Sequence, residues 1–287
     1  ARVLRDDGRF CGGDGMSDGL LDFPGDGVHY DMPEGTYHRI KALSKSTAEA
    51  ALQSPAHWWA MMRRARPQKE LESRIIGTAL HVAVLEPERF DSLYVAAPKI
   101  NKNSNKWKDW VAANSDRTLL DAEQIQHIFG MARSINRDPV AARLMTDAKT
   151  EVSIFWHDDA TGVPCKARID IVSPLPALAD PKTCDDASDS GWRTQAAKMR
   201  YHCQEAHYRN GWWKLFGEDP AFFFMPVELK PPYGMRLVEH GHDTLMAGRE
   251  WMARAAEAFL DVLGDGDNPK CYPSGVVQID LPAWASR

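Results

Sequence analysis

"KARIDIVSPLPALADPKT", residues 166–183, decides how this chain is read. Two runs rich in Ile, Val, Leu and Ala flank a Ser-Pro-Leu-Pro turn, which predicts an antiparallel β-hairpin. The turn centres near Leu175, and residues equidistant from that centre face each other, so Asp170 falls opposite Asp180. Opposed side chains share a face with Cβ atoms about 5 Å apart. Two steps further out on that face come Arg168 and Lys182, while Ile169, Ile171, Ala179 and Pro181 take the other, apolar enough to be the core side.

Like charges directly across a hairpin destabilise it, so the aspartates call for a partner. Three arrangements supply one. In the first, Arg168 and Lys182 neutralise Asp170 and Asp180 in an ion-pair cluster on a solvated sheet face. In the second, the two carboxylates share a proton. In the third, which fits best, they hold a hard divalent cation such as Mg²⁺, which takes oxygen ligands and keeps waters at its open positions.

Outward from the hairpin, "EVSIFW" (151–156), "VPCKARIDIV" (163–172) and "ALADPKT" (177–183) read as three consecutive strands. Upstream, Ser44 to about Arg137 has helical periodicity. Ser46 and Glu49 stand at capping-box spacing, a second helix restarts after Pro55, and "DAEQIQHIFGMARSINRD" stops before Pro139. Downstream come one long helical stretch from about Trp192 to Phe216, two strands in "AFFFMPVEL" and "MRLVEHG", and a closing helix before Gly264. The pattern predicts an α/β (α+β) fold: a mixed sheet flanked by helices, with a helical N-terminal part. Residues 1–29 read as a flexible leader and 30–287 as one domain, divided into a mainly helical part (30–150) and a sheet-containing core (151–287).

Composition narrows the function. Of 287 residues, 44% are hydrophobic and 26% charged, a balance that builds a sizeable core in water, and no apolar run approaches the roughly 20 residues of a membrane span. Five cysteines, odd in number and without a C-x-x-C pair, argue for reduced thiols in a cytoplasm and against a zinc or iron–sulfur site. A net charge of −5 excludes coating nucleic acid by bulk electrostatics. Local patches remain: Arg63 and Arg64 in "MMRRARPQKELESR", and Lys102, Lys106 and Trp107 in "KINKNSNKWKDW", are side chains that contact phosphates and stack on bases, or else solvated faces. Arg168 joins them as a DNA-binding candidate. His81 in "GTALH" lies amid apolar neighbours, and Tyr201, Gln204 and Tyr208 share one helix face.

In order, G-x-x-x-H, Asp, D-x-K and Q-x-x-x-Y resemble the PD-(D/E)xK nuclease superfamily in its RecB-like branch. The phrases "LSKSTAEAALQSPAHWW", "GTALHVAVLEPERF", "KARIDIV", "DPKTCDDAS", "YHCQEAHY", "VELKPPYG" and "IDLPAW" resemble the phage and prophage exodeoxyribonuclease VIII (RecE-type) nuclease domain over about Tyr30 to Trp284. That resemblance implies a Mg²⁺-dependent exodeoxyribonuclease, with Mn²⁺ able to substitute. It would resect the 5′ strand at double-stranded DNA ends and leave a 3′ tail for a single-strand annealing recombinase. His81, Asp170, Asp180 and the Pro181 carbonyl would be metal ligands, Lys182 would stand beside the attacking water, and Gln204 and Tyr208 would complete the pocket. Glu151 and Glu228 are accessory carboxylates at most. A ring-like trimer or tetramer is implied as well. The rival readings are an endonuclease on the same fold and a DNA-binding module with a dead site.

Overall fold

The computed structural model describes residues 19–63, 68–266, 269–272 and 274–280, with the side chains of 68–74 outside the description. In chain order the elements are β1 (Gly27–His29), α1 (Glu34–Arg39), α2 (Lys45–Gln53), α3 (Pro55–Arg63), α4 (Gln68–Leu85), a 3₁₀ turn (Pro87–Arg89), α5 (Phe90–Leu93) and β2 (Tyr94–Ala96). There follow α6 (Asn105–Ala113), β3 (Thr118–Leu120), α7 (Ala122–Arg137), α8 (Pro139–Met145), β4 (Lys149–His157), β5 (Pro164–Val172) and β6 (Ala177–Cys184). The chain continues through α9 (Asp189–Lys198), α10 (Tyr201–Phe216), β7 (Ala221–Glu228) and α11 (His242–Asp265).

Five strands form one mixed sheet in the order β1-β4-β5-β6-β7. The first three pairings are antiparallel, and β6 and β7 run parallel. That parallel pair needs a long crossover, which α9 and α10 provide. Helices cover both faces. On one side Trp58, Trp156, Leu178, Phe222, Phe224 and Phe259 join the sheet to α2, α3, α10 and α11. On the other, Leu80, Ile128, Met131, Ile171, Ala179 and Met225 join it to α4 and α7. A two-stranded parallel pair, β2 and β3, sits in this second layer, where the sequence pattern suggests helices alone.

The structure corrects several expectations. The folded part begins ahead of Tyr30: β1 pairs with β4, Leu21 bridges Ile40, and Phe23 packs edge-on against Phe155 at 5.9 Å. Residues 1–18 of the expected leader lie outside the described residues. Helix α2 starts at Lys45, capped by Ser44, whose N–H donates to Thr47 Oγ1 at 3.1 Å, so the capping box is Ser44/Thr47 and not Ser46/Glu49. The long helix breaks at Arg200, which adopts φ +52°. "MRLVEHG" forms only isolated bridges, Met235 to Val227 and Val238 to Phe224. Ile169 and Ile171 do not share a face: Ile169 packs in the first core and Ile171 in the second. The strand therefore passes between the two cores at Asp170, whose side chain is 13% exposed.

Candidate active site

The β5–β6 ladder has the register the turn predicts, Val172 opposite Leu178 and Ile171 opposite Ala179, and stops one residue short of Asp170 and Asp180. From Asp180 onward β6 stays paired with β7 alone. The two carboxylates thus stand in the fork where β5 leaves β6. Asp180 is 1% exposed.

Helix α4 reaches the same point. Gly77 and His81 are one turn apart on its inner face; a Cβ at Gly77 would lie 3.9 Å from Thr183 Oγ1, so this face lies against β6. His81 Nε2 is 2.9 Å from the Pro181 carbonyl, and its Nδ1 is 3.4 Å from Asp170 Oδ2. One ligand atom each from His81, Asp170 and Asp180 falls within 4.8 Å of the others. Burial lowers the His81 pKa although Asp180 pulls the other way, so the imidazole is neutral, as a ligand must be.

Lys182 Nζ lies 2.6 Å from Asp180 Oδ2 and 5.4 Å over the Tyr201 ring. Gln204 Nε2 donates to the same Asp180 oxygen. Both donors fall on Oδ2, while Asp180 Oδ1 and Asp170 Oδ2 are buried without a hydrogen-bond partner. An orphaned buried carboxylate oxygen is costly, and two beside a neutral imidazole match the donor set of a hard divalent cation. The residues present fit a Mg²⁺- or Mn²⁺-class ion.

Electrostatics divide the pair. Burial and the Asp180 charge push Asp170 well above the usual carboxylate range. Asp180 is also buried, but the Lys182 charge and its hydrogen bond hold it below that range. Burial opposes the charge on Lys182, yet Asp180 and Asp170 raise its pKa on balance and keep it cationic. Tyr208 is half-buried, edge-on to Phe222 at 6.1 Å, and burial together with nearby Tyr37 and Asp170 keeps its hydroxyl protonated.

The remaining sequence candidates separate. Arg168 does not pair with Asp170; its Nε donates to Glu151 Oε2 at 2.5 Å, and its Nη1 to the Met32 carbonyl and Ser153 Oγ. Glu151 falls at the gap in the β4–β5 register between the pairs Thr150–Ile171 and Val152–Ile169, at φ +53°, a left-handed backbone inside a strand, and its charge reaches Asp170. Glu228 accepts from the N–H groups of Ala187 and Gly234, tying two loops together away from the carboxylates. Arg63 lies over Trp59, Lys102 over Trp107, and Lys106 is exposed; Arg64 lies outside the described residues.

Sequence reasoning missed Lys45. Its Nζ donates to the Met199 carbonyl at 2.8 Å and lies 5.6 Å over Tyr201, the ring that also faces Lys182. Burial and the Lys182 charge lower its pKa to about 8. Misplacing the start of α2 by two residues hid it, since only a helix starting at Lys45 makes this lysine its first residue.

No curated protein matches the chain. Among solved structures, the crystal structure of a "Putative exonuclease" from Eubacterium rectale superposes with a TM-score of 0.57 at 13% identity, covering 90% of this chain and 98% of that one. At that identity the likeness is one of fold. A family model described as a PDDEXK-like domain of unknown function matches residues 40–277, which include every residue of the fork, the His81 helix and α10. This chain belongs to the PDDEXK-like domain family.

Proposed function

We propose that this chain is a Mg²⁺-dependent exodeoxyribonuclease that hydrolyses phosphodiester bonds at double-stranded DNA ends, 5′ to 3′, leaving a 3′ single-stranded tail. One observation carries the reading: two buried carboxylates with unpartnered oxygens, a neutral histidine and a lysine held at 2.6 Å converge in the β5–β6 fork. The ordered motif resemblance supports the choice of DNA ends over internal sites.

Phosphodiester hydrolysis requires on the order of 20 kcal/mol of transition-state stabilisation. A divalent ion supplies Lewis acidity and an activated water when bound. His81, Asp170 and Asp180, with the Pro181 carbonyl, would hold it. Lys182 is a fixed positive charge beside the carboxylate and stabilises anionic charge that develops on the phosphoryl oxygens. Gln204 locks Asp180 in one orientation by donating to Oδ2. Tyr208 offers a protonated hydroxyl at the rim. A cytoplasmic setting, a single-strand annealing recombinase as partner and a ring-like oligomer belong to the same reading, and mass measurement in solution tests the last.

The deciding experiment incubates a linear duplex, labelled at the 5′ or the 3′ end, and a closed circle with Mg²⁺. Early release of the 5′ label with an intact circle is expected. A cut circle would show an endonuclease, and retention of DNA without cleavage would show a binding module.

A further inference from the structure

Helix α6 is set apart from the rest of the fold. None of its residues is buried, although two of the nine are tryptophans. Trp107 and Trp110, one turn apart, stack with centroids 5.6 Å apart and planes at 28°. Lys102 Nζ lies 5.7 Å over the Trp107 ring. Lys99, Lys106 and Lys108 stand on the same short segment, exposed to solvent, with Asp109 as the one acid between 99 and 110. The segment is built firmly: Ser104 caps α6 through the Trp107 N–H at 3.2 Å and donates its own hydroxyl to the Asn101 carbonyl.

Beside this helix runs a cleft of about 680 Å³, lined by Lys99, Ile100, Lys102, Trp107, Gln126 and His127. Its two carboxylates are already engaged, Asp121 as the cap of α7 and Glu123 with His127 at 3.5 Å. Two large indoles that serve no core call for another use, and four lysines in a chain of net charge −5 select a polyanion. A groove with lysines along it and stacked rings at its edge binds unpaired bases, because bases inside a duplex have no free faces to offer.

We propose that the α6 cleft is a sequence-independent binding platform for single-stranded DNA, with bases on the Trp107–Trp110 stack and phosphates on Lys99, Lys102 and Lys106. The platform rests on the nuclease reading for the origin of its ligand, the strand that resection exposes. It belongs to the α4–α7 layer, on the sheet face opposite the one that receives Gln204 and Tyr208.

Fluorescence anisotropy of a labelled dT20 strand, titrated with the full chain in EDTA to prevent cleavage, tests this. The double substitution Trp107→Ala with Trp110→Ala is expected to weaken dT20 binding on the order of tenfold or more, and the double Phe variant to retain most of it. Because no residue of α6 belongs to the buried core, the unfolding midpoint should move little. Separately, Lys102→Gln with Lys106→Gln should flatten the salt dependence of log K by roughly 0.7 for each lysine–phosphate pair removed. Unchanged dT20 affinity in both double variants overturns the platform, as does an equal weakening on a blunt 20-base-pair duplex. Wild-type chain that fails to cut DNA with Mg²⁺ yet binds dT20 through these residues would sink the nuclease reading and leave the platform standing.

Discussion

Asp180 carries two donors on one oxygen and none on the other. In the proposed site Lys182 and Gln204 would position the carboxylate and Oδ1 would face the cation. Asp180→Asn keeps the shape but removes the charge; digestion of linear duplex should fall at least about a thousandfold, and calorimetric heat on injecting Mg²⁺ or Mn²⁺ should vanish. Lys182→Ala should behave differently, losing roughly 100- to 1,000-fold in rate while still binding metal, because in the proposed role the lysine would stabilise charge without ligating the ion. Full activity in either variant would falsify the site assignment. Arg168 is a contrast at this scale. Its guanidinium is committed to Glu151, Ser153 and the Met32 carbonyl, so Arg168→Ala should appear first as lost stability, read by thermal unfolding, and only second as lost DNA affinity.

Among the elements, α10 links packing to chemistry. It carries Gln204 and Tyr208 on the face toward the sheet and lies so close to β4 that a Cβ at Gly211 would come within 2.6 Å of the Trp156 ring. Gly211→Ala therefore forces the helix outward. We expect about 1–3 kcal/mol of destabilisation, a drop of several degrees in the unfolding midpoint, and reduced cleavage as the two polar side chains shift with the helix. The same helix carries His207, 4% exposed, whose Nε2 lies 3.1 Å from the Lys166 carbonyl. Burial lowers its pKa to about 4 against an ordinary value of 6.5. Between those values the unfolded chain binds more protons than the folded one, so stability rises with pH across this window and is lost as pH falls from 6.5 toward 4. The loss is on the order of 3 kcal/mol. Denaturant titrations at pH 7 and pH 4.5 should show it, and His207→Phe should flatten the difference.

For the molecule as a whole, the site is a junction of both helical layers with the sheet: α4 brings His81 from one side and α10 brings Gln204 from the other. A cation held by His81, Asp170 and Asp180, as proposed, would bind the folded state alone. Saturation to about 100 times its dissociation constant should add roughly 2.7 kcal/mol, visible as a rise of several degrees in the unfolding midpoint that EDTA reverses and Asp180→Asn abolishes. A midpoint indifferent to Mg²⁺ and Mn²⁺ would contradict the metal site. Among the described residues no helix is long and apolar enough to cross a membrane, which agrees with the absence of any such run in the sequence.

The sequence alone sets the hairpin and its register, because turn geometry and the two-residue period of a strand are local: Ser173 to Ala177 close the turn, and Val172 opposite Leu178 and Ile171 opposite Ala179 follow from it, ending one residue before the aspartates. It also determined that Gly77 and His81, and Gln204 and Tyr208, share helix faces, since a spacing of four suffices. What those faces meet depends on packing between distant segments. Nothing near position 81 reveals Pro181, a hundred residues on, and nothing near Arg168 reveals that Glu151 takes it from Asp170. The end of the ladder at Ile171, the break at Arg200 and the approach of Lys45 to Tyr201 likewise depend on how helices pack over both sheet faces. Local periodicity specifies which side chains travel together; long-range burial of apolar surface, which carries no sequence spacing, specifies where they arrive.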